Sequence, residues 1–155
     1  MRRWLMGAAA AALGVSGIAY AQGGEQGSVT FTPDQVIATR QVGYDLMAGL
    51  LTGMKTAVET KADLKDFKGA AEAIATWGRT VPTLFPDGTQ QGHNTKAKPN
   101  IWSDRAGFVK AATNLTDQAT RLAQLAAADD KAGFAEQFKA TAGACKNCHD
   151  TYRAK

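Results

Sequence analysis

Apolar residues recur at steps of three or four in four separate segments, and this spacing restricts the fold more than any other feature of the sequence. No part of residues 22–155 alternates between polar and apolar residues over a length typical of a strand. Steps of three and four place side chains on one face of an α-helix, so the spacing predicts four amphipathic helices. Since the predicted helices are joined mostly by short links, we expect an all-α, antiparallel four-helix bundle.

Capping residues and prolines indicate where the helices begin and end. Thr32, Pro33 and Gln35 have the pattern of an N-cap, a first helical residue and a capping-box partner. The second helix is predicted to begin near Asp63 and cannot continue through Pro82. The polar residues predicted to begin the third and fourth helices are Ser103 with Asp104, and Asp129 with Asp130.

Two further features of the middle of the chain bear on packing and function. Gly69 and Ala70 have small side chains, which indicate close packing of the second helix against a neighbour. A loop of residues 80–102 follows, and its length is typical of a functional segment rather than a simple connector. We expect this loop to fold over the edge of a bound group.

The last helical segment contains the sequence CKNCH. Cys145 and Cys148 are the only cysteines in the chain, and His149 follows at once. Positions three apart share a face of a helix, so both thiols can form thioethers with the vinyl groups of one haem, and His149 can ligate its iron. We therefore expect one covalently attached haem c per chain, with His149 as the proximal ligand.

Three other interpretations of the cysteine pair agree less well with the sequence. A Cys-x-x-Cys redox pair normally accompanies a βαβ pattern, and no strands are predicted here. A structural zinc site needs further ligands, and His93 is the only other histidine. A plain disulfide would leave His149 without a role.

The N-terminal residues have the pattern of a secretory signal peptide. Arg2 and Arg3 precede an apolar run, and an Ala-Tyr-Ala sequence at 19–21 supplies a cleavage site. We expect removal of residues 1–21, which leaves 22–155 as one haem domain without a membrane attachment. An uncleaved anchor is the alternative, although the run is short for a span of about 20 residues. Export together with haem attachment predicts a periplasmic location.

The charge of the chain gives no indication of a nucleic-acid partner. The formal net charge is +4 for the full sequence, and it falls to about +2 if Arg2 and Arg3 are removed with the signal peptide. Basic and acidic residues are interspersed rather than gathered in a stripe, so we do not expect nucleic-acid binding.

Residues 22–155 as a whole resemble the cytochrome c prime family of four-helix-bundle haem proteins. The resemblance rests on CKNCHDTYR in the last helix, the Arg40–Gln41 pair early in the first helix, and the segment AKPNIWSD before the third helix. It implies that Cys145 and Cys148 are the attachment points of the haem and that His149 is its axial ligand.

The resemblance also implies roles for residues around the haem. Arg40 and Gln41 would meet the propionates, Arg153 would lie on the proximal side, and alignment of the loop places Thr95 near the haem. Because Arg40 and Tyr44 are four residues apart, the helix that presents a cation to the propionates also directs Tyr44 toward the distal face. The alternative is that Arg40 is a surface residue beside a core tyrosine.

The sixth coordination position of the iron decides between two functions. A phenol has a pKa of about 10 and is a poor ligand at neutral pH, so Tyr44 predicts five-coordinate, largely high-spin iron. Such iron beneath an apolar face binds NO and CO and also transfers single electrons. The alternative is a low-spin His/Met cytochrome that only carries electrons, with Met47 as the sixth ligand. Met54 is assigned to the core and His93 to solvent.

Two expectations concern activity and assembly. We do not expect an enzyme, because nothing obvious supplies the distal His-Arg pair that a peroxidase needs. The resemblance implies a homodimer formed by crossing of the first two helices, whereas the sequence does not indicate the redox partner. Apolar coverage of the first helix is broader than one stripe requires, which is consistent with an interface and equally with a broad core. The residues concerned are Met47, Leu50, Leu51 and Met54.

Overall fold

The computed structural model describes residues 30–155, which form an all-α, antiparallel four-helix bundle as predicted. The helices are α1 (Pro33–Thr60), α2 (Lys68–Thr80), α3 (Asn100–Ser103), α4 (Arg105–Ala127) and α5 (Lys131–Tyr152). Two turns of 3₁₀ helix, Lys65–Phe67 and Val81–Leu84, flank α2. The bundle consists of α1, α2, α4 and α5, and α3 is a single turn that leads into α4.

The predicted signal peptide, residues 1–21, lies outside the described residues, so its removal stays a prediction. None of the helices within residues 30–155 combines the length and the apolar character that crossing a membrane requires.

The beginning of α1 confirms the predicted capping box. The Thr32 hydroxyl accepts a hydrogen bond from the backbone N–H of Gln35 at 3.2 Å, and the Gln35 side chain accepts one from the backbone N–H of Thr32 at 2.9 Å. These two bonds satisfy donors that the first helical turn cannot pair internally. At the other end, Lys61 adopts a left-handed conformation with φ 56°, which ends α1.

The other helix starts agree with the sequence in part. Asp104 and Asp130 are the N-caps of α4 and α5, as predicted, and each side chain accepts a bond from the backbone N–H three residues later. Asp63 instead precedes the 3₁₀ turn, and its side chain accepts a hydrogen bond from the backbone N–H of Lys65 at 3.0 Å. The second α-helix begins only at Lys68.

The interior divides into two apolar clusters. The larger cluster lies between the four long helices, and the smaller one surrounds Phe85, Phe108 and Tyr152 near the CKNCH end of α5. Met54 is fully buried, and four partly buried apolar residues of α1 pack against the larger cluster: Met47, Leu50, Leu51 and Val58. The broad apolar coverage of α1 is therefore used in the core of the bundle.

A close approach between α2 and α4 depends on Gly78. A Cβ at this position would lie 2.6 Å from the Thr116 hydroxyl oxygen and 3.1 Å from the carbonyl oxygen of Ala112. The prediction of close packing at Gly69 is wrong, because Gly69 is exposed and a Cβ there would meet no atom within 4 Å. The residue that permits the contact lies more than two turns further along α2.

Replacing Gly78 by Ala should therefore destabilise the fold. We expect a loss of about 1–3 kcal/mol in the free energy of unfolding, because the added methyl group forces α2 and α4 apart. Gly69→Ala is the matched control in the same helix, and it should leave stability unchanged or raise it by up to about 1 kcal/mol. Urea unfolding followed by circular dichroism measures both, and equal effects of the two variants would contradict the packing argument.

Candidate haem site

A cavity of about 500 Å³ lies between α1, the loop that follows α2, and the C-terminal part of α5. Seven of the eight residues singled out from the sequence line this cavity, and Cys145 lines an adjoining cavity of about 110 Å³ together with Cys148 and His149. Those lining the larger cavity are Arg40, Gln41, Tyr44, Thr95, Cys148, His149 and Arg153. The fold thus brings together side chains from positions more than 100 residues apart in the chain.

Helix α5 supplies the attachment segment. Cys145 and Cys148 are half-buried free thiols. Burial raises the pKa of both, and in Cys148 the neighbouring Cys145 adds to the effect and the pKa reaches about 11. Desolvation lowers the pKa of His149, and repulsion by Arg153 lowers it further. At neutral pH the segment therefore presents two thiols and a neutral imidazole, which is the form of histidine that ligates a metal.

The loop is fastened to the end of α5 by backbone and side-chain hydrogen bonds. Ala97 and Arg153 form an isolated antiparallel bridge, and the backbone N–H of Lys98 donates to the carbonyl of Tyr152 at 3.0 Å. The Lys98 ammonium and the Asn100 amide also donate to carbonyls in the last turn of α5. Since helix ends leave carbonyls without internal partners, these bonds hold the loop beside the attachment segment.

Arg40 is the most extensively bonded side chain of the site. One terminal nitrogen, Nη1, donates to the carbonyl of Leu84 at 3.1 Å and to the hydroxyl of Thr89 at 3.0 Å. The other, Nη2, donates to the carbonyl of Thr89 and the hydroxyl of Thr95, both at 2.8 Å. The guanidinium carbon lies 4.2 Å from the centre of the Phe85 ring. Arg40 is only 2% exposed, which excludes the interpretation of Arg40 as a surface residue.

The charge of Arg40 has no counter-ion among residues 30–155. All four acceptors are neutral, and no carboxylate of the described chain forms an ion pair with it. Burial lowers the pKa of Arg40, but a guanidinium remains protonated in proteins. Buried charges are normally paired, so an anionic group in the cavity would complete this site. A haem propionate fits this requirement.

Gln41, which the family resemblance places beside a propionate, forms a hydrogen bond to the loop. Its side-chain amide donates to the backbone carbonyl of His93 at 2.9 Å, which ties α1 to the loop. His93 itself is exposed and lies 3.5 Å from the carboxylate of Asp34. The part that Gln41 plays toward a propionate stays a prediction.

Tyr44 lies across the cavity from His149. The two ring centres are 6.0 Å apart with an interplanar angle of 76°. Burial raises the pKa of the Tyr44 phenol far above its ordinary value, and the nearby cysteines add to the rise while Arg40 opposes it. A protonated phenol therefore faces the imidazole of the expected axial ligand, and its role at the distal face stays a prediction.

Two residues of the site were not found by sequence reasoning. Thr89 is 1% exposed and bonds Arg40 through both its hydroxyl and its carbonyl oxygen. Trp77 packs edge-on against Tyr44, with ring centres 5.4 Å apart. Nothing in the local sequence distinguishes this threonine from others in a polar loop. In the sequence, Trp77 is distinguished only by its helical spacing from other apolar residues.

Comparison with other proteins agrees with the geometry. The family model for cytochrome c′ matches residues 35–153. The chain belongs to the cytochrome c′ family. A cytochrome c′ from Rubrivivax gelatinosus is 36% identical over 126 residues, which cover 79% of this chain and 97% of that protein.

Solved structures of other family members have the same fold. A cytochrome c′ described as having an unusual ligand-controlled dimer dissociation superimposes with a TM-score of 0.77 and 28% identity, covering 81% of this chain and 99% of that one. A carbon monoxide-bound variant from Alcaligenes xylosoxidans superimposes with a TM-score of 0.72 and 31% identity, covering 80% and 98%. A nitric oxide complex of another variant from that organism superimposes with a TM-score of 0.73 and 30% identity. The match covers 81% of this chain and 98% of that one.

Family membership assigns the cofactor. Cytochromes c′ carry covalent haem c, and Cys145 and Cys148 lie in the attachment sequence that this cofactor requires. The residues of this chain fit the group, because the two adjoining cavities together are lined by two thiols, a neutral imidazole and a buried cation that lacks an anion. The roles of the individual lining residues toward the haem stay predictions.

Removing the charge of Arg40 should lower the reduction potential. A nearby cation disfavours the ferric state, which carries one more positive charge than the ferrous state. Arg40→Met should therefore lower the potential by on the order of tens of millivolts. Arg40→Lys should shift it less, and Arg79→Met on exposed α2 surface should leave it unchanged. Spectroelectrochemical titration measures all three, and an unaltered potential in Arg40→Met would refute the charge argument.

Proposed function

We propose that this cytochrome c′ is a periplasmic protein with five-coordinate, largely high-spin iron that binds NO and CO at the distal face and transfers single electrons. The observation that carries the proposal is the position of Tyr44, whose protonated phenol faces His149 across the cavity. The haem iron, when bound, supplies a reversible one-electron change and an open coordination position. No enzymatic activity is part of the proposal.

The side chains around the sixth position favour small neutral ligands. The cavity of about 110 Å³ next to Tyr44 is lined mainly by apolar residues, including Leu51, Ile74, Val81 and Leu115. These aliphatic side chains offer no hydrogen-bond donor or charge that would stabilise water or an anion, and the Tyr44 phenol must move aside before a ligand binds. A neutral diatomic molecule needs neither a donor nor a charge. The nitric oxide and carbon monoxide complexes of the Alcaligenes xylosoxidans variants support this choice of ligands.

The proposal of a non-enzymatic role is supported by the composition of the site. Among the described residues, His149 is the one histidine that lines either cavity, and it belongs to the attachment segment. His93 is exposed and interacts with Asp34 instead. A distal histidine that could assist cleavage of an O–O bond is therefore not part of the cavity lining.

One observation favours the alternative function. Met47 lines the smaller cavity together with His149, so its thioether is a candidate for a sixth ligand. Ligation by Met47 would make the protein a low-spin cytochrome that only carries electrons. Met54, in contrast, is fully buried in the larger apolar cluster and lines neither cavity.

Absorption spectra of the oxidised protein and of the dithionite-reduced protein, with and without CO, test the function. We expect broad high-spin bands and ready uptake of CO by the reduced form. Met47→Leu should leave these spectra unchanged, because Met47 is core filler in the proposed state. Sharp low-spin α and β bands that CO does not alter, together with their loss in Met47→Leu, would establish the alternative instead.

We further propose that two copies of the chain associate through the exposed face of α1. Val42 and Leu46 are 59% and 62% exposed, although both are large apolar side chains. Gly49 and Gly53 continue the same face at helical spacing and leave room for a second helix to approach. The related structure with ligand-controlled dimer dissociation supports a homodimer. Val42 and Leu46 are not among the four apolar residues of α1 that the sequence analysis considered for an interface.

A charge placed on this face should break the dimer. We expect wild type to sediment as a dimer and Leu46→Glu as a monomer, because a buried unpaired carboxylate at the interface is costly. Val109→Glu is the matched control, since Val109 is an exposed apolar residue on α4. Sedimentation velocity distinguishes the species, and a monomeric wild type or a dimeric Leu46→Glu would refute the proposed interface.

A further inference from the structure

Trp77 of α2 lies directly against the backbone of Gly43 in α1. A Cβ at Gly43 would be 2.0 Å from Cη2 of the indole and 2.5 Å from Cζ3. These distances are far below van der Waals contact, so any residue with a side chain would displace the ring. Gly43 is buried in the middle of a long helix, where glycine is unfavourable unless close approach requires it. The glycine thus forms a notch that receives the indole.

The indole is held in this notch by packing alone. Its Nε1–H is buried and has no hydrogen-bond partner among the described residues. A buried tryptophan N–H normally finds an acceptor. The position of Trp77 is consequently set by the shapes of its neighbours, among which the backbone of Gly43 is the closest approach.

Trp77 also contacts Tyr44, which follows Gly43 in the chain. The rings of Trp77 and Tyr44 meet edge to face, with centres 5.4 Å apart and an interplanar angle of 86°. Tyr44 in turn faces His149 at 6.0 Å. Trp77 of α2 therefore contacts both Gly43 and Tyr44 of α1. Through Tyr44, these contacts are connected to the axial histidine.

We propose that Trp77 is a positioning residue that holds the Tyr44 phenol over the distal face and so sets the rate at which a diatomic gas enters. This inference rests on the proposed function, in which Tyr44 must move aside before a ligand binds. Trp77 restricts that movement because its ring packs edge to face against Tyr44 and is itself held in place by close contact with the backbone of Gly43. A smaller side chain at position 77 frees the phenol to swing away.

The rate of CO association with the reduced holoprotein tests the proposal in stopped flow. Trp77→Leu should raise the rate about threefold to tenfold, the factor that corresponds to loss of one edge-to-face aromatic contact. Trp77→Phe keeps an aromatic ring, so its rate of CO association should lie between those of wild type and Trp77→Leu. Trp102→Phe is the matched control, because Trp102 packs on Phe85 and leaves the contacts of Tyr44 unchanged. It should associate with CO at the wild-type rate.

A double-mutant comparison separates positioning from simple core filling. Tyr44→Ala alone should accelerate CO association, and adding Trp77→Leu to Tyr44→Ala should cause no further change if Trp77 acts through the phenol. The free energy of unfolding is measured in parallel. A merely structural tryptophan would lower stability in both Trp77→Leu and Trp102→Phe without changing the rate.

The outcomes distinguish this inference from the proposed function. Acceleration by Tyr44→Ala but a wild-type rate in folded Trp77→Leu and Trp77→Phe would overturn the role of Trp77 and leave the gas-binding function standing. An equal acceleration by Trp77→Leu with and without Tyr44 would also overturn it, because the effect would not pass through the phenol. Failure of the wild-type protein to take up CO would overturn both.

Discussion

A buried guanidinium with only neutral partners organises the haem end of the molecule. Arg40 extends from α1 and bonds three segments of the following loop, at Leu84, Thr89 and Thr95. These bonds bring the loop over the cavity while leaving one positive charge uncompensated. The fold is therefore arranged for an anion at this point, and a covalently attached haem c supplies one in each propionate. Arg40 therefore fastens the loop, and in the proposed function the same side chain also tunes the reduction potential of the iron.

The opposite side of the cavity is organised by aromatic packing rather than by charge. Tyr44 and Arg40 are one helical turn apart on α1, so the phenol and the cation share a face. The Tyr44 ring meets Trp77 on one side and faces His149 on the other. In the proposed function, one helix thus contributes both to the reduction potential, through Arg40, and to ligand access, through Tyr44. In that proposal, the neutral, protonated phenol covers the iron without ligating it.

Helix spacing and capping residues predicted the bundle correctly because these signals are local. The capping box at Thr32 and the caps at Asp104 and Asp130 are satisfied within a few residues of each aspartate or threonine. Gly69 was interpreted wrongly for the complementary reason, since whether a glycine touches another helix depends on the rotation of both helices. The exposed apolar face of α1 could not be predicted from local patterns either. Apolar spacing does not indicate which face of a helix packs against the other helices of the bundle.

The sequence by itself determined the attachment chemistry, since two cysteines three residues apart and an adjacent histidine share a helix face whatever the tertiary structure is. It also determined the all-α class and, by resemblance, the family. Only the tertiary structure decided that Arg40 is buried without a counter-ion, that Thr89 accepts hydrogen bonds from it, and that Trp77 contacts both Gly43 and Tyr44. These contacts join residues more than 30 positions apart, and their formation depends on helix packing, which no short sequence pattern encodes.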